Sequence, residues 1–534
     1  MFAPSMPLRK LLRKPALVLA LACLVQWALL FAMTTPAWDA AFYYSYARSI
    51  VFDGDLRVDN DLRLSYPTTA ADFAAKGLDQ VRTETGRVVT PFAVGSGLVW
   101  LPWLTVLRLG AALGQAVDRF PASLTGYEWY FTAGLAAFSM ALGWLAHWIG
   151  YRIGRVTFGR FSALAAALTV LFASPLLYYQ YREPLYSHAT SAFVTGLVVL
   201  VWWRTAKTLP GNRFGVLLGG VIGLAALVRW QHLVYLALPG VSAVWWWFSS
   251  STEERGKRGW PVIRYLLVVG LAALVVLSFQ LAHWRVVYGS WLTIPQGNSF
   301  IDWRAPFWQP LLFSTFRGIL PWMPVLVLAV IGLLVSIRRN GALVVPLLLV
   351  LALEFYVNAS TRDWFAGAGF GPRRFTSELV IIILGYAGLL QAMPDRFRPL
   401  IATAAGVMLG LHQWILLRYG LLEKIGGRTL SMSPNFEWAE GTYSEFFRAL
   451  SSHFNDLVRA PFDFFVLPGS PIHLLSIGVF PIRQIIILAL TLLFMLFLWQ
   501  VGRWLGKQMR GSWLFVGVSA VLIVTADLWL LIWG

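Results

Sequence analysis

The sequence contains little charge and almost no cysteine. Only 13% of its 534 residues are charged, whereas 58% are hydrophobic and 15% are aromatic. This composition is typical of an integral membrane protein. The single cysteine, Cys23, lies inside an apolar run, which excludes a disulfide framework and a cysteine-based zinc site. The sequence also lacks a Walker loop ending in GK[ST] and a GxGxxG fingerprint, so it contains no motif for a soluble nucleotide.

Acidic residues are scarce, with 25 against 43 basic residues and a formal net charge of +18. A nucleic-acid partner would require a basic surface patch, but here the basic residues lie in short loops between apolar runs. Only Glu253, Glu254 and Asp395 accompany them in the loops assigned to the inside. The charge pattern therefore indicates membrane lipid as the partner and argues against nucleic acid.

Apolar runs long enough to cross a bilayer recur along the whole chain. The sequence predicts an all-α polytopic membrane protein with about thirteen transmembrane helices, in a range of about 11 to 14. The long run 214–249 divides into two spans at "VRWQH". The other predicted spans are 15–33, 127–149, 161–179, 188–203, 265–284, 319–337, 342–359, 374–392, 400–417, 481–501 and 513–533.

The topology follows from where the arginines lie. "PLRKLLRK" at the N-terminus and "YRIGRVTFGR" at 151–160 must both lie inside by the positive-inside rule. The run 91–107 then cannot cross the membrane, and we predict a juxtamembrane or half-inserted helix on the outer face, broken by Gly95, Gly97 and Pro102. The first span is expected to be a retained anchor, because its apolar core is longer than that of a signal peptide.

This topology divides the chain into three predicted parts. Residues 1–417 form a transmembrane core that includes a first outer loop at 34–126 with juxtamembrane helices. Residues 418–480 form an extracytoplasmic loop, and residues 481–534 form a C-terminal transmembrane hairpin. The N-terminus lies inside and the C-terminus outside.

The first outer loop opens with "WDAAFYYSYARSIV". Its spacing predicts a short interfacial helix whose aromatic face, including Tyr43 and Tyr44, rests on lipid. Asp39 stands at the start of this helix. It either caps the helix or serves the aqueous side as a functional carboxylate.

A second acid lies in the short outer loop "YREPLYSHA". A lone carboxylate between two spans must pair with a cation or serve a water-filled site. Glu183 therefore either neutralises Arg182 or joins His188 in a functional site.

A glycine-rich loop, "STRDWFAGAGFGPRRF", follows the span 342–359. Exposed backbone N–H groups beside two guanidiniums suit a phosphate, which arginine can hold with two parallel hydrogen bonds. Arg373 and Arg374 are the candidate phosphate ligands. Contact with lipid headgroups is the alternative for these arginines.

These features, in this order and with the "LVRWQ" break, resemble the GT-C superfamily of polytopic glycosyltransferases, and in particular its bacterial members. The resemblance implies a polyprenyl-phosphate-linked sugar as donor, used on the outer face of the cytoplasmic membrane for cell-envelope glycan biosynthesis. It implies a glycan, lipid or protein acceptor and no organic cofactor. The chain has "WDA" where well-known members have Asp-Glu, which leaves a divalent metal undecided, and it lacks a "WWDYG" sequence, which disfavours transfer to protein asparagine.

The resemblance and the chemistry together imply roles for the candidate residues. A glycosyl phosphate already carries a leaving group, so an inverting hexosyl- or pentosyltransferase needs one base, for which Asp39 is the candidate. Glu183 and His188 would orient the acceptor or support the base. The substrate-binding candidates are Arg373, Arg374, Arg229, His188, His232, Tyr43 and Tyr44.

Two other functions are weighed against transfer. A lipid-linked sugar flippase or transporter would place polar residues near mid-membrane, whereas Glu354, Glu378 and Asp527 are expected near the outer ends of their spans. A membrane O-acyltransferase would rely on His188, His232 or His283, and no further sequence supports it.

Overall fold

The structure is a computed structural model, and it describes residues 14–32, 35–65, 70–71, 74–75, 77, 80–121, 123–206, 211–367, 369–420 and 440–508. Within these ranges the ordered elements are helices and no β-strand is present, and an isolated β-bridge pairs Arg82 with Val88. The all-α class is therefore confirmed for the described part of the chain. The predicted span 513–533 and the basic N-terminal segment "PLRKLLRK", except its last residue Lys14, lie outside the described residues.

Among the residues that the structure describes, seven helices are long and apolar enough to cross a membrane, and four more are apolar but shorter. The protein is a multi-pass integral membrane protein on this ground, while the count of thirteen spans stays a prediction. The seven candidate spans are Gly95–Gln115, Trp129–Thr157, Gly259–Tyr288, Pro324–Ala359, Arg373–Ala392, Arg398–Tyr419 and Ile482–Val501. The shorter helices are Pro15–Leu30, Arg160–Ala173, His188–Trp203 and Asn212–Val228.

Two predicted interruptions are confirmed. Helix Asn212–Val228 ends where Arg229 becomes extended (φ −150°, ψ 114°), and a 3-10 segment, Trp230–Leu236, leads into helix Ala237–Phe248. In Pro324–Ala359, Asn340 leaves the helical region (φ −134°, ψ 34°) between the predicted spans 319–337 and 342–359.

The chain forms two compact units that alternate along the sequence. The first unit comprises residues 1–33, 143–182 and 302–485, and the second comprises 34–142, 183–301 and 486–534. The predicted division at residues 417 and 480 stays a prediction.

In the second unit, the helix predicted at the start of the outer loop is present as Asp39–Arg48, but its predicted contact with lipid is wrong. Every residue from Ala40 to Arg48 is buried. The helix packs into an apolar cluster with Leu56, Leu62 and Val88 from the same loop and Phe279 from helix Thr252–Tyr288. The aromatic rings fill this core because the loop folds over the helix and leaves no face for the bilayer.

The prediction that 91–107 is broken by Gly95, Gly97 and Pro102 is also wrong. These three residues lie within one continuous helix, Gly95–Gln115. A Cβ on Gly95 would collide with the backbone of Leu227, and a Cβ on Gly97 would lie 2.8 Å from the Cβ of Tyr46. The glycines therefore let helices of the second unit approach closely, while Pro102 costs this helix a hydrogen bond without ending it.

In the first unit, helix Pro324–Ala359 crosses helix Leu379–Ala392 at very close range. Gly332 and Gly385 face this crossing, and a Cβ on either would collide with the backbone of the other helix. This contact fixes the two helices between which the predicted glycine-rich loop runs. The loop ends in a 3-10 helix, Arg373–Glu378.

Candidate functional site

The glycine-rich loop of the first unit, residues 366–371, has an unusual backbone. Ala366, Gly367 and Gly371 all have positive φ, at 57°, 63° and 58°. Such values cost energy for alanine and suit glycine, so packing must hold this loop in place. Strained backbone of this kind occurs at ligand-binding loops, which makes the glycine-rich loop a candidate binding element.

Tyr179 holds the glycine-rich loop in place through hydrogen bonds to its backbone. Its hydroxyl donates to the carbonyl of Phe370 at 3.0 Å and lies 2.6 Å from the backbone nitrogen of the same residue. The ring of Tyr178 stacks on Phe370 at 5.1 Å, and Trp322 meets Phe370 edge-on at 5.4 Å. The loop thus packs against aromatic side chains from other segments of the same unit.

Arg373 lies against the open side of the glycine-rich loop. A Cβ on Gly369 would lie 2.6 Å from the Cδ of Arg373 and 2.6 Å from the hydroxyl of Tyr179. The missing side chain at Gly369 therefore makes room for the arginine. Arg373 is half-buried, which leaves part of it open to a ligand.

Arg317 provides a second guanidinium near this loop. It is only 8% exposed, donates to the carbonyl of Phe365 at 3.1 Å, and lies 4.4 Å from the ring centre of Phe316. Burial lowers the pKa of Arg317 to about 10; the tyrosines at 178 and 179 favour its charged form, and the positive charge of Arg373 opposes it. Two neighbouring cations in a partly buried position favour an anion between or beside them.

Arg374 has other contacts. It forms an ion pair with Asp363, and its Nη1 donates to the hydroxyl of Thr361 at 2.6 Å. Asp363 therefore balances the charge of Arg374, while Arg373 lies beside Gly369 and Tyr179.

A pair of buried carboxylates is the candidate cation site of the first unit. Glu354 and Glu378 are 1% and 0% exposed, and carboxylate oxygens of the two lie within 4.8 Å of each other. Asn358 Nδ2 donates to the carbonyl of Glu354 at 2.7 Å. Two buried negative charges at this distance require compensation, which a divalent cation or a shared proton can supply.

In the second unit, Asp39 occupies the first turn of helix Asp39–Arg48 and is half-buried. The N-cap position belongs to Trp38, whose φ of 52° is rare for a non-glycine residue. The proposed cap role therefore does not match the position of Asp39, although an acid in the first turn still interacts favourably with the helix dipole. The strained backbone at Trp38 holds the start of this helix in one orientation.

Arg229 and His188 are brought together in the second unit. Arg229 Nη2 donates to the hydroxyl of Ser187 at 2.9 Å and lies 3.2 Å from Nδ1 of His188, which is fully buried. His232, also fully buried, has its Nε2 2.7 Å from the hydroxyl of Ser191. Arg229 and His232 lie in the "VRWQH" break, where the α-helix ends at Val228 and a 3-10 segment follows Arg229.

Glu183 stands at the beginning of this region and is half-buried. Its carbonyl accepts a hydrogen bond from the backbone N–H of Tyr186 at 3.0 Å, which closes a turn before helix His188–Trp203. Its role as a second functional carboxylate stays a prediction. Arg182, the alternative partner for its charge, donates to the carbonyls of Leu30 and Pro468 at 3.1 and 2.9 Å.

The two tyrosines predicted to bind substrate are parts of the buried core. Tyr44 is 0% exposed, and its hydroxyl donates to the carbonyl of Gly126. Tyr43 is 5% exposed, with its ring 5.4 Å from that of Phe92. Both therefore support the shape of the outer loop, and their role toward substrate stays a prediction.

Asp61, which the sequence did not single out, lies at the centre of the same loop. Burial raises the pKa of Asp61 to about 7, against the opposing effect of Arg48, whose Nη1 lies 3.3 Å away. Its Oδ1 accepts from the hydroxyl of Tyr127 at 3.2 Å, while its Oδ2 has no hydrogen-bond partner among the described residues. This carboxyl therefore changes its charge near neutral pH.

Asp39 and Arg373, the two main candidates, belong to different units. Within the first unit, the structure groups Arg373 with Arg317, which sequence reasoning missed. "FRGILPW" carries no motif around Arg317, and the only available signal is an arginine in a predicted outer loop just before a span. Its importance follows from burial, which the sequence does not reveal.

No protein-family model and no curated protein matches the chain. Among solved structures, the chain is similar to ArnT from Cupriavidus metallidurans bound to undecaprenyl phosphate, at 15% identity and a TM-score of 0.43, over 92% of this chain and 78% of that chain. It is also similar to the archaeal oligosaccharyltransferase AglB from Archaeoglobus fulgidus, solved with an inhibitory peptide and a dolichol-phosphate, at 14% identity and a TM-score of 0.40. That match covers 77% of this chain and 55% of AglB. Because TM-scores below 0.5 support no conclusion about function, the proposals below depend on the chain's own residues.

Proposed function

We propose that the protein is an inverting glycosyltransferase that moves a sugar from a polyprenyl-phosphate donor to a hydroxyl acceptor. The observation that carries this proposal is the pair of arginines, Arg373 and Arg317, beside the strained glycine-rich loop. In a membrane protein, such a pair suits the phosphate of a lipid whose tail remains in the bilayer. A soluble sugar nucleotide is not required, in agreement with the lack of a nucleotide-binding motif.

The departing phosphate gains negative charge as the glycosidic bond breaks. Guanidiniums that are already in place stabilise this charge more strongly in the transition state than in the ground state. Arg373 can provide a two-pronged contact, and Arg317 can provide a second positive charge from a buried position. Because Gly369 has no Cβ, the side chain of Arg373 can lie directly against the glycine-rich loop.

Asp39 is proposed as the general base. As the new bond forms, the acceptor hydroxyl must lose a proton, and a carboxylate within hydrogen-bond reach can take it. In-line attack then inverts the configuration at the anomeric carbon. Glu183 and His188 are proposed to orient the acceptor, and Arg229 and His232 are proposed as further substrate-binding residues.

The same proposal includes the cellular setting. The chain would span the cytoplasmic membrane about thirteen times and work on the outer face, in line with the scarcity of acids in the loops assigned to the inside. The acceptor would be a glycan, lipid or protein, and the transferred sugar a hexose or pentose. If a divalent cation takes part, Glu354 and Glu378 are the residues proposed to hold it.

The phosphate site can be tested by measuring polyprenyl-phosphate binding to purified protein in nanodiscs. Arg373→Ala and Arg317→Ala should each weaken binding about tenfold or more, because a hydrogen bond to a charged group contributes about 1.5–3 kcal/mol. Arg373→Lys should restore binding only in part, since an ammonium cannot form the two-pronged contact. Arg362→Ala removes the same charge from an exposed position beside the loop and serves as the matched control.

Unchanged binding in a folded Arg317→Ala/Arg373→Ala double variant would overturn the phosphate site. A flippase would show a different result. It would bind the lipid phosphate and move it across the bilayer, without cleaving the sugar–phosphate bond or giving a glycosylated product.

A further inference from the structure

Helix Glu440–Arg459 belongs to the first unit, lies in the chain between the candidate spans Arg398–Tyr419 and Ile482–Val501, and presents three distinct faces. On the first face, Phe446 and His453 are 4% and 5% exposed. Leu450 and Leu457, on the same face, are half-buried. The Phe446 ring lies 5.9 Å from that of Tyr419 and 6.3 Å from that of Trp322. This face therefore packs against the protein.

A second face carries large apolar side chains that are largely exposed in the described chain. Phe447, Phe454 and Val458 are 60%, 50% and 69% exposed. With about 100° of rotation per residue, these three positions fall within about 40° of each other and about 90° from the buried face. A compact apolar stripe of this kind needs an apolar partner.

The third face is polar. Arg448, Ser452, Asn455 and Arg459 are exposed and lie beyond the apolar stripe as one proceeds around the helix. The helix thus has one face packed against the protein, one exposed apolar face and one exposed polar face. This is the arrangement of a helix that lies along the surface of a membrane beside the body of the protein.

The neighbouring segments indicate what covers the apolar stripe. Helix Arg398–Tyr419 precedes it and carries Leu400 and Met408 at 70% and 71% exposure, as a lipid-facing span does. Its last residue, Tyr419, is the one that touches Phe446. After the helix, exposed apolar residues continue into the next candidate span: Phe462, Leu475, Ile477, Val479, Phe480 and Ile482. The apolar surface is therefore continuous along the chain with that of the spans.

We propose that helix Glu440–Arg459 is an interfacial helix that inserts Phe447, Phe454 and Val458 into the lipid leaflet. The rings would lie about 5–10 Å deep, at the boundary between headgroups and acyl chains. Arg448 and Arg459, on the polar side, are then placed to meet lipid phosphates. The proposal concerns lipid as a binding partner and does not depend on the proposed transferase activity.

The test uses the full-length chain in nanodiscs with a fluorophore on single introduced cysteines. Cys23 is buried and will not react. Phe454→Cys and Val458→Cys report the apolar face, while the neighbouring Asn455→Cys and Ser452→Cys are matched controls on the polar face. All four positions lie on the surface of the described chain, so labelling should not disturb the fold. Quenching is compared between a nitroxide carried by lipid near the headgroup and a water-soluble quencher.

Lipid-borne nitroxide should quench the labels at 454 and 458 severalfold more than those at 455 and 452, with the reverse order for the aqueous quencher. Equal aqueous quenching at all four positions would place the apolar face in water and overturn the proposal. Protection of 454 and 458 from both quenchers would mean that protein covers the stripe, and energy transfer between labelled copies would then show whether a second copy does. Either protected result would also overturn lipid as the partner.

Discussion

At the scale of single residues, Asp39 and Asp61 show how one outer loop treats two acids differently. Asp39 stands half-buried at a helix start, directly after a strained tryptophan, whereas Asp61 is enclosed next to Arg48. Asp39 is therefore partly accessible from outside the fold, whereas burial raises the pKa of Asp61. Their substitutions should have different effects.

Asp39→Asn should abolish most transfer without unfolding the protein. The amide keeps the size of the side chain and suits the first turn of a helix, but it cannot accept the proton of the acceptor. We expect a fall in turnover of roughly 10² to 10⁴, as is typical for a lost general base, with lipid-phosphate binding retained. Asp118→Asn, at an exposed acid of the same loop, is the control. Near-normal transfer by Asp39→Asn would exclude the catalytic role and make Glu183 the next residue to test.

Asp61 should make the stability of the second unit depend on pH. Its pKa is about 7 in the folded protein and about 3.9 in an unfolded chain, so the folded state binds the proton more tightly. The resulting stabilisation is complete below about pH 3.9 and is lost as the pH rises through about 7. Asp61→Asn keeps an acceptor for Tyr127 and Arg48. It should reduce the change of the unfolding temperature with pH over this window, whereas Asp118→Asn should leave that pH dependence unchanged. A slope unchanged by Asp61→Asn would assign the dependence to other groups.

At the scale of elements, glycine has opposite effects at two positions of helix Gly95–Gln115. A Cβ at Gly95 would collide with the backbone of Leu227, whereas nothing lies within 4 Å of a Cβ at Gly110. Gly95→Ala should therefore lower the unfolding temperature. Gly110→Ala should leave it equal or raise it, since alanine in a helix is about 0.5–1 kcal/mol more favourable than glycine. Equal behaviour of the two variants in thermal unfolding would contradict the close helix contact.

The spans and their interruptions could be predicted because each depends on a local pattern. The run of apolar residues defines a span, and the polar "VRWQH" ends a helix at Val228 because a hydrophobic helix cannot easily continue through it. Helix Asp39–Arg48 was predicted from spacing for the same reason. Its surroundings were wrong, since an aromatic face packs equally well on lipid or on a folded loop, and the sequence does not distinguish these two.

The candidate site, too, could be predicted only in part from the sequence. The glycine-rich loop and Arg373 could be predicted, because small residues beside arginines form a local signal. Three-dimensional contacts were needed to assign Arg374 to Asp363 and to bring buried Arg317 into the site. The pairing of Glu354 with Glu378 also depends on two helices that meet at glycines distant in sequence.

At the scale of the whole molecule, the two units share the chain in alternating segments, so neither is a contiguous domain. Cutting the chain at any single loop would therefore divide at least one unit. Function must be tested on the full chain. The distribution of charge remains the main guide to how this chain is oriented in the membrane.

Helix Gly95–Gln115 is long and apolar enough to cross the bilayer, and whether it does so determines the side on which every later loop lies. The arginines of 151–160 require that it does not, since a crossing would move them outside. Arg155 and Arg63 are both exposed, so cysteines introduced there can report their side of the membrane while buried Cys23 stays silent. In oriented cells, an impermeant thiol reagent added outside should label Arg63→Cys and spare Arg155→Cys until the membrane is opened. Labelling of Arg155→Cys from outside would make Gly95–Gln115 a true span and invert the assignment of every later loop.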